Sequence, residues 1–346
     1  MKPVKPSRLN PSATVGVVSP SSGAAARFPH IHEAGLAQLR ELGLRVKELP
    51  HARADGDTLY DNPRLRAEDV NAAFADPDID MVLSSIGGND SVRILPYIDL
   101  DLILANPKPL MGFSDTTTLL AYLASQGLVT LYGPSVMAGF AQLPALPGEF
   151  RKHIRRILFE DTAGYDYVPY PQWCEGYPDW ADPANVCKVK ELHENTAGWR
   201  WLQGDRPAEG DAWGGCIEVL EMMKATPYWP PREYFPNKVL FFETSEEAPP
   251  VEAVTYMLRN YGMQGAFDHA AAVLLGRPMG YSTADKERLD DALLRIIARE
   301  FGRTDMPIVT NVDIGHTDPQ LIIPLGAPLR VDPVQRRIQL LESALA

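Results

Sequence analysis

Short apolar runs alternate with helix-patterned stretches through the first third of the chain, and this alternation limits the fold more than any other feature. ATVGVVSP (13–20), RVKELP (45–50), MVLSSIGG (81–88), LMGFS (110–114) and VTLYGP (129–134) read as strands. Between them, HEAGLAQLRELG repeats leucine at 36, 39 and 42, and PRLRAEDVNAAFADP opens on proline and carries an apolar stripe. This β-α-β rhythm builds a parallel sheet with helices on both faces. The expected class is therefore α/β, with functional groups at the carboxyl ends of the strands.

The pattern breaks between residues 166 and 210, where prolines, tryptophans and charges follow no period. Its aromatic content argues against a disordered linker, and a stretch of this length is expected to serve function. Order returns with KVLFFETS, a helix from about Pro250 to Tyr261, AAAVLLGRP, a charged helix over ADKERLDDALLRIIAREFG, PIVTNVDIGH and QLIIPLGAPLRVD. A chain of 346 residues exceeds the usual single domain. The expected division is residues 1–165, an inserted loop at 166–210, and a second α/β unit at 211–346.

A net charge of −12 argues against a nucleic-acid polymer or an anionic membrane surface as partner. The N-terminal stretch lacks the apolar core of a secretion signal, so the cytoplasm is the expected location. Cys174, Cys187 and Cys216 lack paired zinc-site spacing. They are expected as free thiols, with a Cys174–Cys187 bridge as the alternative.

Two strand ends carry candidate chemistry. At the first, Gly112, Ser114 and Asp115 precede a threonine-rich helix start. Such a turn projects one side chain outward and leaves backbone N–H groups free at the positive end of the helix. Ser114 is thus a candidate nucleophile. The sequence reads G-x-S-x-T and breaks the common hydrolase elbow, and the competing reading is that Ser114, Asp115 or Thr116 caps the helix. The second strand end, SSIGGNDSVRILPYID (84–99), holds Gly87 and Gly88, whose amides can complete an oxyanion hole. Here the plain alternative is a turn with Asn89 or Asp90 as cap. No phosphate-binding glycine motif and no HExxH metal motif is present, so no cofactor or metal is expected.

A serine nucleophile needs a base. Six of the seven histidines lie on charged helices or in polar loops, where a solvated ring is expected. His316 closes PIVTNVDIGH at a strand end beside a permissive glycine, with a surface turn as the alternative. The orienting acid should also follow a strand, and Glu243 does, after four apolar residues in KVLFFETSEE. Glu246 and Glu247 read as solvated loop charges, and Asp313 and Asp318 are rival orienters. Ser114, His316 and Glu243 together have the chemistry of nucleophile, base and orienting acid.

NPKPLMGFSDTTTLLAYL, SSIGGNDSVRILPYID, VLFFETSEE and NVDIGHTDPQLIIPLG resemble, in this order, the signature regions of the S66 family of serine peptidases. That family includes LD-carboxypeptidases and the MccF-type microcin C immunity peptidases. The resemblance implies an N-terminal Rossmann-like domain, a C-terminal domain around a β-barrel-like sheet, and a site between them. It also implies a triad of Ser114, Glu243 and His316, an oxyanion hole from the amides of Gly88 and Asp115, a homodimer, and no metal.

The aromatic insertion resembles that of the MccF branch, which implies Trp180 as a wall stacking on a nucleobase, with Trp173 as a second wall; packing of the loop is the plainer role for both. Cys216, in WGGCIEVL, stands where the family has a substrate-facing asparagine, which implies a shifted substrate choice. The expected substrate is a small peptide, an aminoacyl- or peptidyl-nucleotide, or a muropeptide. The alternatives are an LD-carboxypeptidase that releases D-Ala from muropeptide tetrapeptides, and a non-catalytic protein that sequesters such a ligand.

Overall fold

A computed structural model describes residues 3–346. Strands β1 (Thr14–Val18), β2 (Arg45–Glu48), β3 (Met81–Ser84), β4 (Leu110–Gly112) and β5 (Thr130–Tyr132) form a parallel sheet. The strand Ile323–Leu325, from far down the chain, closes its edge antiparallel to β5. β1, β3, β4 and β5 are buried throughout because helices cover both faces, which is why they read as unbroken apolar runs. β2, at the opposite edge, alternates exposed and half-buried residues. The two helices expected in this half lie at Pro29–Glu41 and Pro63–Ala75, each with proline in its first turn, where the missing N–H costs nothing.

Beyond residue 160 the strands are β6 (Tyr165–Tyr167), β7 (Gln172–Glu175), β8 (His193–Glu194), β9 (Arg200–Gln203), β10 (Ala208–Cys216), β11 (Lys238–Glu243), β12 (Ala272–Gly276), β13 (Ile308–Val312), β14 (Thr317–Asp318), β15 (Ile323–Leu325), β16 (Pro328–Asp332) and β17 (Arg337–Leu340). Eight of them form a mixed sheet in the order β6-β17-β16-β10-β11-β12-β13-β9, with β10 to β13 parallel at its centre. The molecule is thus mixed α/β, with a parallel-sheet N-terminal unit and a sheet-based C-terminal unit.

The aperiodic stretch is ordered. It supplies β7 and β8, the edge strand β9 and the start of β10, and β7 pairs with β14 just after His316. The helix Thr117–Ser125 packs against β10, so the corner bearing Ser114 meets the second sheet directly. The ends of β4, β11 and β13 converge there.

Candidate active site

Ser114 occupies the turn between β4 and the helix Thr117–Ser125, with its backbone at φ +57°. A left-handed conformation at a residue with a Cβ is strained and persists only where the surroundings enforce it. Here Gly87 packs so closely that a Cβ on it would lie 2.8 Å from Ser114 Oγ. The capping alternative does not hold: neither the short 3₁₀ turn at Ser114–Thr116 nor the following helix has a side-chain cap. The Asp115 carboxylate turns away instead. One of its oxygens accepts from Ser21 Oγ, from Asp90 N at 3.0 Å and from Ser91 N at 2.8 Å, tying the Ser114 turn to the diglycine loop. Burial pushes its pKa up against these bonds. Asp90 is no cap either, because its carboxylate pairs with the buried Arg66 at 2.7 Å.

His316 reaches Ser114 from the other sheet, with Nε2 3.0 Å from Oγ. Its Nδ1 lies 2.7 Å from Glu243 Oε2 at the end of β11. The other Glu243 oxygen accepts from the buried Tyr132 hydroxyl at 2.5 Å, and Ser114 N donates to that same hydroxyl at 3.3 Å. The fully buried Glu243 carboxylate thus has partners on both oxygens, as a buried charge requires. Phe113 packs edge-on against the imidazole with ring centres 5.1 Å apart. The turn that carries His316 depends on Gly315 at φ +97°, whose α-carbon abuts Glu243.

The rival orienters are engaged elsewhere. Asp313 pairs with the buried Arg277 at 2.6 Å and accepts from Trp199 Nε1 at 2.9 Å. Asp318 accepts from the Tyr177 hydroxyl, and burial raises its pKa to about 6. Two histidines expected to be solvated, His32 and His153, are buried, the latter accepting from Ile322 N at 2.8 Å.

Glu246, read from sequence as a solvated loop charge, instead lies 3.1 Å from His316 Nε2, the nitrogen that also meets Ser114. Burial of His316 disfavours its charged form, but Glu243 and Glu246 together outweigh it and raise the pKa to about 10. The hydrogen bond from His316 in turn holds Glu246 down at about 2. Both carboxylates thus favour the charged form of the ring, which can act as a base only when neutral.

Ser114 and His316 open into a cavity of about 450 Å³ lined mainly by Phe28, Ile86, Phe113, Tyr177, Trp180 and Met279. Gly87 and Gly88 lie on its wall, and the N–H groups of Gly88 and Asp115 donate to no protein acceptor among the described residues. Tyr177 stacks on Trp180 at 5.4 Å, Phe28 meets Trp180 edge-on, and His30 bonds the Trp180 carbonyl at 2.7 Å.

Trp173 is not part of this wall. It sits on β7 against Arg277 and Lys286, on the loop-packing side. Cys216 does not line the cavity either. It is buried in register with Glu243, its N–H donates to Thr117 Oγ1 at 3.2 Å, and its thiol points to Glu218 at 3.5 Å. All three cysteines are free. Among the described residues no group of three or more His, Cys, Asp or Glu side chains is placed to hold a metal ion. No helix among them is long and apolar enough to cross a membrane.

Comparison with known proteins agrees with this architecture. Residues 15–133 match the LD-carboxypeptidase N-terminal domain and residues 209–331 the LD-carboxypeptidase C-terminal domain of the S66 peptidases. The microcin C7 self-immunity protein MccF of Escherichia coli is 30% identical over 284 residues, covering 81% of this chain and 79% of MccF. The crystal structure of an MccF-like protein from Streptococcus pneumoniae in complex with AMP superposes with a TM-score of 0.85 at 32% identity, covering 95% of this chain and 98% of that one. MccF in complex with aspartyl sulfamoyl adenosine superposes at 0.86 with 26% identity, covering 99% and 100%.

Proposed function

This chain belongs to the S66 family of serine peptidases, and from that premise we propose that Ser114, His316 and Glu243 are its catalytic triad, acting on the amide between an acyl group and a nucleotide-like amine. The carrying observation is the unbroken relay from Ser114 Oγ to His316 Nε2 at 3.0 Å and from His316 Nδ1 to Glu243 at 2.7 Å.

Neutral His316 takes the Ser114 proton as Oγ attacks the carbonyl, and Glu243 stabilises the imidazolium that forms. The amides of Gly88 and Asp115 receive the oxyanion. The imidazolium then protonates the leaving amine as the C–N bond breaks. A water, deprotonated by the same ring, hydrolyses the acyl-serine and restores the enzyme.

The Trp180–Tyr177 stack suits a flat base, because a rigid ring gains contact area at little entropic cost. The ligands of the MccF and MccF-like structures, aspartyl sulfamoyl adenosine and AMP, support the same class. Cleavage of a muropeptide with release of D-Ala is the second reading, favoured by the LD-carboxypeptidase domain matches. We further propose a cytoplasmic homodimer, in keeping with the family resemblance.

The test is mass spectrometry of purified protein with an LD-tetrapeptide and with aspartyl sulfamoyl adenosine, wild type beside Ser114→Ala. Freed adenosine sulfamate, lost in the variant, is the expected result. Release of D-Ala alone supports the second reading. Tight binding without cleavage by the wild type makes the protein a sequestering one.

A further inference from the structure

An oxyanion donor is useful only if it is aimed, and Gly88 is a glycine in a loop, with a backbone free to turn. Its direction is set from the other side of the peptide bond. The Gly87 carbonyl and the Gly88 N–H belong to one planar, trans peptide unit, so they point in opposite directions. Whatever grips that carbonyl aims that N–H.

The grip comes from Ser22, in the loop after β1. Ser22 Oγ donates to the Gly87 carbonyl at 2.8 Å, and Ser22 N donates to the same oxygen at 3.3 Å. On the opposite side the Gly88 N–H has no protein acceptor among the described residues, and Gly88 shares the cavity wall with Ser114. A Cβ on Gly87 would stand 2.8 Å from Ser114 Oγ and 3.3 Å from Asp115 N, so this peptide unit begins beside both the hydroxyl and the second free amide.

The loop that carries Ser22 is itself fixed. The buried Arg66 donates to the Pro20 and Ser21 carbonyls at 3.2 and 3.1 Å and to the Asp90 carboxylate at 2.7 Å, spanning both loops. Ser21 Oγ bonds the Asp115 carboxylate and packs so closely on Gly88 that a Cβ there would overlap it. Asp115 also holds the backbone of Asp90 and Ser91. With both ends of the diglycine loop tied, the tilt of the 87–88 peptide is left to Ser22.

We propose that Ser22 is a positioning residue for the reaction: by holding the Gly87 carbonyl it aims the Gly88 N–H at the oxyanion formed when Ser114 attacks. This rests on the triad reading above. Ser22 acts through Gly88 and does not touch the reacting carbonyl.

The experiment reads the Gly88 amide directly. The chain has two Gly-Gly peptides, 87–88 and 214–215. Protein grown with glycine labelled at its carbonyl carbon and its nitrogen therefore gives two signals in an NMR spectrum that selects amides bonded to a labelled carbonyl. Gly215, within β10 and outside the cavity lining, is the internal reference. Phenylboronic acid is the probe, because its boron adds to the Ser114 hydroxyl and places an anionic oxygen where the oxyanion forms. In wild type the probe should move the Gly88 signal downfield, and in Ser22→Ala most of that shift should be lost. On whichever of the two substrates above is cleaved, Ser22→Ala should lower kcat by roughly tenfold or more with KM unchanged. Ser22→Thr, which keeps the hydroxyl, should restore both the shift and kcat.

A Gly88 signal unmoved by the probe in wild type, or moved as far in Ser22→Ala, overturns the positioning role and leaves the triad standing. So does a raised KM with unchanged kcat, which would make Ser22 a residue that binds substrate. If wild type and Ser114→Ala treat both substrates alike, the triad reading falls and the aiming of Gly88 with it.

Discussion

The hydroxyl of Tyr132 donates to Glu243 Oε1 at 2.5 Å, on the oxygen that His316 does not use. Tyr132 ends β5 in the first sheet and Glu243 ends β11 in the second, so this bond stitches the two sheets directly behind Ser114. Burial and the adjacent carboxylate push the tyrosine pKa well up, so the group is a fixed donor. Tyr132→Phe strips Glu243 of that donor and leaves a buried charge half satisfied, at about 1–3 kcal/mol of stability. The expected result is a kcat reduced by roughly tenfold or more with KM little changed, because Tyr132 does not line the cavity. Steady-state kinetics and chemical denaturation of the variant check both parts.

The pairing of His316 with Glu246 fixes the direction of the pH profile. His316 can take the serine proton only when neutral, so kcat/KM rises as pH rises through the pKa of the ring, about 10 in the free protein. A carboxylate 3.1 Å from Nε2 favours the charged ring, and its removal must lower that pKa. With an uncharged acyl side chain, Glu246→Gln should therefore shift the rising limb of kcat/KM to lower pH and run faster than wild type near pH 7. A limb that stays put, or moves to higher pH, contradicts the pairing.

The three residues proposed as the triad were legible in the sequence because each stands where an apolar strand run stops: Ser114 after LMGF, Glu243 after VLFF, and His316 after a β-branched run and glycine. Glu246 was hidden for the opposite reason. It lies in a loop without periodicity, and its approach to His316 arises from two segments 70 residues apart meeting at the ends of β11 and β13. Trp173 and Trp180 are alike as text, but strand alternation in β7 sends Trp173 over Arg277, while the His30 bond to the Trp180 carbonyl holds that residue at the cavity. The burial of His153 was within reach. Phe150, His153, Ile154 and Ile157 form one helical stripe in GEFRKHIRRILF, obscured by the charges around it.

That buried histidine should govern part of the acid limit. His153 Nε2 accepts from Ile322 N and Nδ1 lies 2.9 Å from the Tyr165 hydroxyl, so the ring is neutral, and burial lowers its pKa to about 3. The unfolded chain takes up this proton near pH 6.5 and the folded chain near 3. Between those values the unfolded state binds more protons, and stability falls as pH falls, by up to about 1.4 kcal/mol per pH unit from this group. His153→Gln, which keeps an acceptor for Ile322 but cannot titrate, should give a flatter stability curve than wild type between pH 6.5 and 3. Parallel curves from urea denaturation at stepped pH would refute this.

Gly315 offers the most local test of the site. It stands at φ +97°, and a methyl on its α-carbon would overlap Glu243 Oε2, the oxygen that bonds His316. Gly315→Ala thus imposes two burdens: left-handed strain of about 1 kcal/mol and displacement of the orienting carboxylate. Gly326 separates them. It has a similar φ of +85°, but the nearest atoms to its added methyl are 3.7 Å away, in Pro3 and Val129, and none belongs to Ser114, Glu243 or His316. Both alanine variants should lose a comparable increment of stability from strain. Only Gly315→Ala should also lose kcat, by about a hundredfold or more, since a misplaced catalytic group of this kind costs that much. Equal activity in the two variants would mean that Glu243 need not be held against His316, and the relay through the imidazole would lose its basis.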